Sequence, residues 1–176
     1  MKKYLPVLFL SLTLAFTACQ NEKKNETTSA AANKTEEATQ RNLETVHVIN
    51  KAFETGDFSK VRSLIADDGI DHAGPNGDIK GADSIVASMK QWSGMATDMT
   101  SSTIKELADK DYVFQWMKVS GKMKTDGYGM KAGDNYNTEA IEVTRFNEAG
   151  KATEHWEFMT MAAMMKMMGG NPPAGK

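Results

Sequence analysis

The second half of the chain sets the strongest limit on its fold. Over residues 99–107, 111–123, 136–146 and 151–159, apolar and polar side chains alternate with period two. The separators Ala108-Asp109-Lys110, Asp126-Gly127-Tyr128-Gly129 and Asn147-Glu148-Ala149-Gly150 are turn chemistry. Alternation of this kind between such separators specifies half-buried strands joined as hairpins. A meander of four long strands is therefore expected, and a sheet with one solvated face needs helices to cover the other.

The first half supplies them. Leu43, Val46, Ile49 and Phe53 recur at helical spacing, with Gly56 just beyond as a stop. Asp57 is then placed to cap a shorter helix whose apolar positions are Val61, Leu64 and Ile65. Asp67-Asp68-Gly69 breaks it, residues 70–73 read as a short extended piece, and residues 74–78 read as a turn. Gly81 and Asp83 open a third helix with Ile85, Val86, Met89 and Trp92 along one side. Helices first and strands second is an α+β layout, with about three N-terminal helices closing a curved antiparallel sheet into a cone with a cavity.

The N-terminus is of a different kind. Residues 1–18 have a basic head, Lys2 and Lys3, an apolar run and then small residues, the pattern of a secretory signal. The apolar run falls short of the roughly 20 residues a membrane-spanning helix needs. Leu14-Ala15-Phe16-Thr17-Ala18-Cys19 resembles the lipobox of bacterial lipoproteins, with Phe16 in the place of the usual leucine. Lipidation of Cys19 and residence in the cell envelope, at the outer membrane in a Gram-negative cell, are expected. Cys19 is the only cysteine, so no intrachain disulfide can form. Residues 19–41 are polar and without aromatics, which reads as a flexible tether. Residues 42–169 are one domain, and 170–176 read as a disordered tail. Loss of residues 1–18 leaves 19 basic against 23 acidic residues, a balance that makes nucleic acid a poor partner.

The run Ala52-Phe53-Glu54-Thr55-Gly56-Asp57-Phe58, then Asp71-His72, then Gly81, are followed by residues 109–121 and by Arg145-Phe146-Asn147-Glu148-Ala149-Gly150-Lys151-Ala152-Thr153-Glu154-His155-Trp156. In that order and spacing they resemble the SnoaL-like branch of the nuclear transport factor 2-like superfamily. The resemblance implies a cone-shaped α+β barrel that holds small apolar or carbonyl-bearing ligands, frequently as a homodimer. It implies no single activity, because the superfamily includes polyketide cyclases, ketosteroid isomerases, epoxide hydrolases and binding proteins. Its enzymes commonly move a proton next to a carbonyl with a cavity carboxylate.

Two residues are the candidates for that chemistry. With Ile70 in the core, alternation turns His72 toward the cavity and Asp71 away. On the last strand Glu154, Trp156 and Phe158 share one face, and His155, Glu157 and Met159 the other. With the aromatic face inward, Glu154 is the buried carboxylate whose pKa desolvation raises. The plainer alternatives are His72 bonded to the sheet rim and Glu154 exposed or paired with a base. Trp92, Tyr112, Trp116, Tyr136 and Trp156 are candidates to line a ligand pocket, or else are core. The methionines at 159, 161, 164, 165, 167 and 168 read as an adaptable apolar lid, a dimer seam or a Cu(I) site. No cofactor motif and no metal-ligand spacing is present. The expected function is a lipid-anchored module that binds a small ligand. The alternatives are a cofactor-free cyclase or isomerase using Glu154 and His72, and Cu(I) handling by the methionine-rich end.

Overall fold

The computed structural model describes residues 19–167, so the expected signal segment and C-terminal tail lie outside the described residues. The chain divides into two compact units, Met1–Lys34 and Thr35–Lys176. Of the first, the described part is helical, the beginning of α1 (Cys19–Thr55). The stretch that composition marks as a tether is thus helix, which its Glu, Lys, Gln and Ala residues favour intrinsically. Within the second unit, Gln40 donates to Glu44 one turn on.

The second unit continues with α2 (Val61–Leu64), β1 (Ile65–Asp71), β2 (Ile79–Lys80), α3 (Ala82–Met95), β3 (Ala96–Ala108), β4 (Tyr112–Met123), β5 (Asn135–Phe146), β6 (Ala152–Met159) and α4 (Met161–Met167). The six strands form one sheet in the order β2-β1-β6-β5-β4-β3. β3 to β6 are the expected antiparallel meander. The sheet is mixed, however, because β1 lies parallel to β6. β1 also begins earlier than the Asp67-Asp68-Gly69 break suggests, leaving α2 a single turn, and Asp57 caps a turn at Ser59 instead of that helix.

Register shifts in β3, between Thr97 and Thr100 and between Thr103 and Lys105, add local twist. Asp98 stands at φ 55 within the first, a left-handed conformation that a short polar side chain tolerates. β1 has a similar irregularity between Ile65 and Ile70. α1 ends at Gly56, whose φ of 73 and N–H bond to the Ala52 carbonyl at 2.8 Å form a left-handed stop.

Three apolar clusters hold the helices to the sheet. Phe58, Val61, Ile65, Ala82 and Ile85 pack beneath α2 and α3. Met99, Met123, Met130 and Tyr136 pack at the other end with Trp92 and Phe53 against them. Val46, Val113, Phe146 and Ala152 join α1 to the middle of the sheet. α1 is also pinned by polar contacts: the fully buried Asn42 donates to the Lys110 carbonyl at 2.9 Å, and Asn50 to Gln115 at 3.1 Å.

Met123 is 2 % exposed and among the largest fully buried side chains. Its replacement by Ala leaves a cavity that neighbouring strands fill only in part, and it is expected to lower the unfolding free energy by about 2–5 kcal/mol. Urea unfolding of M123A beside the parent measures this. A loss under about 1 kcal/mol, the scale of a surface substitution, would show that this end of the core is loosely packed.

Candidate functional site

Helices α1 and α3 and the inner face of the sheet enclose a cavity of about 640 Å³. That volume lies within the range of small-molecule sites. One end is apolar and aromatic, lined by Phe53, Met89, Trp92, Met99, Tyr128 and Tyr136. Trp92 meets Tyr128 edge-on at 4.9 Å between ring centroids. Met164 of α4 reaches the cavity as well.

The other end is polar, and strand register builds it. Across the sheet Gln115 is paired with Glu142 and Glu142 with Glu157, while Thr144 is paired with His155 and His155 with Asp71. Because paired residues share a face, two adjoining rows of polar side chains line the same wall. All six line the cavity. The inward face of β6 is therefore His155, Glu157 and Met159. This reverses the expectation that Glu154, Trp156 and Phe158 look inward.

Asp71 is the pivot of the polar end. Its side chain is 13 % exposed, and Oδ1 accepts from His155 Nδ1 at 3.0 Å and from the Ala73 N–H at 2.9 Å. Burial works to raise the Asp71 pKa, but the His155 hydrogen bond and charge outweigh it and hold the carboxyl below its ordinary value. For His155, burial opposes the charged form. The Asp71 hydrogen bond and the charges of Glu142, Asp71 and Glu157 overcome that and raise its pKa. An ionised carboxylate at Nδ1 fixes a proton there, which leaves Nε2 as the ring position for a second partner.

Glu142 and Glu157 are pushed the opposite way from Asp71. Burial raises Glu142, with a smaller push from the Asp71 charge. Burial, then the charges of Glu142 and Asp71, against the opposing pull of His155, raise Glu157 to about 7. Glu157 is open to the cavity itself. Its low-dielectric surroundings are the enclosing walls, not direct contact on every side. Glu54, at the α1 wall, is held at about 2 by the Lys51 ammonium and by Ser101.

The residues singled out from the sequence are divided by the sheet. Trp92 and Tyr136 line the cavity. Tyr112, Trp116 and Trp156 do not line it: Trp116 is 45 % exposed and donates to Glu139 at 3.1 Å, and Trp156 stacks on His72 at 4.9 Å. His72 and Glu154 do come together, with His72 Nε2 3.6 Å from Glu154, but on the outer face of β6. There His72 bonds to Asp78 at 2.9 Å and Arg145 donates to Glu154 at 2.6 Å, while Glu154 also borders the cavity. Asp71, Glu142, His155 and Glu157 were not singled out. The turn at residues 147–150 alone does not give them away: continued from the Phe146–Ala152 pair it sets Glu142 opposite Trp156, and the register shift between Arg145 and Phe146 moves Glu142 to Glu157. Among the described residues, no three His, Cys, Asp or Glu side chains are grouped to hold a metal ion.

The shifts give the site a signature in stability. His155, with a raised pKa, contributes stability that is full below about 6.5 and lost as pH rises through its folded value. Glu142 and Glu157 have raised pKa values and bind protons more tightly in the folded state, so they too favour folding less as pH rises above about 4.3, Glu157 until about 7. Asp71 acts in the opposite sense, its share being lost only as pH falls below about 3.9. Stability is expected to fall between about pH 5 and about pH 8, and Glu157→Gln is expected to flatten that fall. Thermal melts of both proteins across the range measure it, and parallel profiles would show that Glu157 titrates normally.

The family model for the SnoaL-like polyketide cyclases matches residues 44–168. No curated protein matches the chain closely enough to count as a relative. Among solved structures it is similar to IdmH from Streptomyces antibioticus, at 21 % identity and a TM-score of 0.59, over 73 % of this chain and 98 % of that one. It is similar to TsrD from Streptomyces laurentii, at 16 % identity and a TM-score of 0.63, over 74 % and 96 %. A third is an LEH-like epoxide hydrolase from M. tuberculosis, at 15 % identity and a TM-score of 0.60, over 73 % and 90 %. Likenesses of this order establish the fold, and the family match over most of the domain establishes more: this chain belongs to the SnoaL-like polyketide cyclase family.

Proposed function

We propose that the cavity transfers a proton next to the carbonyl of a small, largely apolar compound, the chemistry of a cyclase or isomerase. One observation carries this reading: the Asp71–His155 pair stands beside the Glu142 and Glu157 carboxyls in an enclosed cavity whose far end is apolar. A base works best with a pKa near the operating pH, and Glu157 at about 7 meets that condition. In this scheme the Glu157 carboxylate takes the proton from the carbon next to the carbonyl. As charge builds on the carbonyl oxygen, His155, whose raised pKa favours the imidazolium with a proton on each nitrogen, donates to it from Nε2. Glu157 then returns the proton to another carbon, or to the same one, and both groups are restored. Asp71 touches no substrate and positions the imidazole. His155 and Glu157 thus take the roles that sequence alone gave to His72 and Glu154.

Deuterium exchange tests the scheme without the natural substrate. The full chain in deuterated buffer is expected to accelerate wash-in next to the carbonyl of 2-tetralone or of a β-keto ester. Glu157→Gln is expected to lower that rate by about 10²–10⁴, the usual scale for a removed general base, with ligand affinity nearly unchanged. Equal exchange by the variant would remove Glu157 from this role. Tight binding without exchange by the parent would make the protein a capture module.

We also infer that the chain is held at the cell envelope by lipid on Cys19. Support comes from the lipobox-like residues 14–19 and the signal-like residues ahead of them. Each buried methylene of an acyl chain adds about 0.8 kcal/mol of membrane affinity. Cells fed an alkyne-bearing fatty acid are expected to label this protein but not its Cys19→Ala variant. Undiminished labelling of the variant would place any lipid elsewhere.

A further inference from the structure

The charges lining the cavity are one-sided. Four elements carry carboxyls into its wall, Glu54 from α1, Asp71 from β1, Glu142 from β5 and Glu157 from β6, and no lysine or arginine lines it among the described residues. Among the described residues His155 is the one lining side chain able to take a positive charge, and Asp71 already balances it. Glu54 is balanced from outside by Lys51 at 2.9 Å, and Glu154 at the rim by Arg145. The paired Glu142 and Glu157 have no lysine or arginine partner among the described residues and feel only the charge of His155, which Asp71 already holds. Two desolvated carboxyls on adjacent strands resist ionising together. An anionic ligand would add to that repulsion, a neutral one would leave it, and a cation would remove it.

A second feature points to a ligand at the opposite end. The Tyr136 side chain lines the cavity, yet its residue is only 8 % exposed and its buried hydroxyl has no hydrogen-bond partner among the described residues. Burial raises its pKa, so it stays neutral. Tyr136 lies over Gly121 on the paired strand, where a Cβ would come 2.5 Å from the hydroxyl, so the glycine makes room for the ring. Trp92 and Tyr128 stand beside it with Met99 and Met130. This is an apolar berth with one polar atom to satisfy. From Tyr136 to Glu142 is six residues of strand, about 20 Å if fully extended.

We propose that the cavity takes an amphiphilic organic cation, a protonated or quaternary amine whose head sits against Glu142 and Glu157 and whose apolar body runs to Trp92 and Tyr136. The inference rests on the cavity being the working site and names the class of its substrate. The head satisfies the carboxyl pair, the body covers the aromatic and methionine wall, and the adjoining His155 faces whatever group follows the head.

The test compares benzyltrimethylammonium with neopentylbenzene, its neutral carbon isostere, and with phenylacetate, by ligand-observed magnetic resonance on the full chain in nanodiscs of zwitterionic lipid. Empty nanodiscs are the reference. The cation is expected to bind about tenfold or more tighter than the isostere, a margin of about 1.4 kcal/mol, with the anion weakest. Its advantage is expected to rise as pH passes through about 7, where Glu157 loses its proton, with Asp71 and Glu54 ionised throughout. Glu157→Gln should flatten most of that rise. Equal binding of cation and isostere, a preference for the anion, or no binding of any probe overturns the proposal. If deuterium exchange on a neutral ketone persists in that case, the charge preference alone fails. If exchange is absent as well, the reading of the cavity as the working site fails with it.

Discussion

The parallel contact between β1 and β6 is the constraint on which the rest depends. A meander of β3 to β6 would leave β6 as an edge, with its backbone groups open to another chain. β1, brought round from the helical half, covers that edge, with Ile65 beside Ala152, Ile70 beside Glu154 and Asp71 beside His155. The same pairing sets a carboxylate from one half of the sequence 3.0 Å from an imidazole of the other, 84 residues on. Closing the sheet and assembling the polar end of the cavity are therefore one event. The backbone bond from the His72 N–H to the His155 carbonyl, at 2.8 Å, continues the ladder one residue further.

Magnitudes separate the two ion-pair systems on β6. Arg145–Glu154 and His72–Asp78 lie toward solvent, where pairs are worth about 0–1 kcal/mol. Asp71–His155 is enclosed, and removing one partner of a buried pair costs about 3–5 kcal/mol because the other is left uncompensated. Glu142 and Glu157 have only the charge of His155 against their burial, and they answer by holding their protons. A wall that keeps carboxyls in this condition is costly beside an apolar one, and α1 helps to offset the cost. Asn50 bonds to Gln115, and Gln115 to Glu106, which also meets His47 at 3.0 Å. This chain of contacts satisfies the row just behind Glu142.

The strands and their turns were legible in the sequence because period-two alternation and Gly- or Asn-bearing turns are local signals. So were the apolar stripe of α1 and the helix that opens after Gly81. The parallel strand was not, since Ile65-Ala66-Asp67-Asp68-Gly69 has weak strand propensity and is fixed by β6, far away in sequence. The polar helix ahead of Leu43 was not either, because composition measures how little a segment can bury and not whether its backbone coils.

The site failed to show for a more specific reason. Alternation separates two faces of a strand but does not say which one is the cavity. Trp156 and Phe158 made the aromatic face look like the inside, yet Phe158 is 56 % exposed, and Phe114, Trp116 and Ile141 on the same face of the sheet are 45–46 % exposed. Register would have decided it. Turning Trp156 outward aligns it with Val143 and Phe114, while Gln115, Glu142 and Glu157 fall into one row on the opposite face. A single buried carboxyl in a strand has several explanations. Three polar side chains in register across three adjacent strands, beside a second polar row of Thr144, His155 and Asp71, are an arrangement that stability alone gives no reason to assemble.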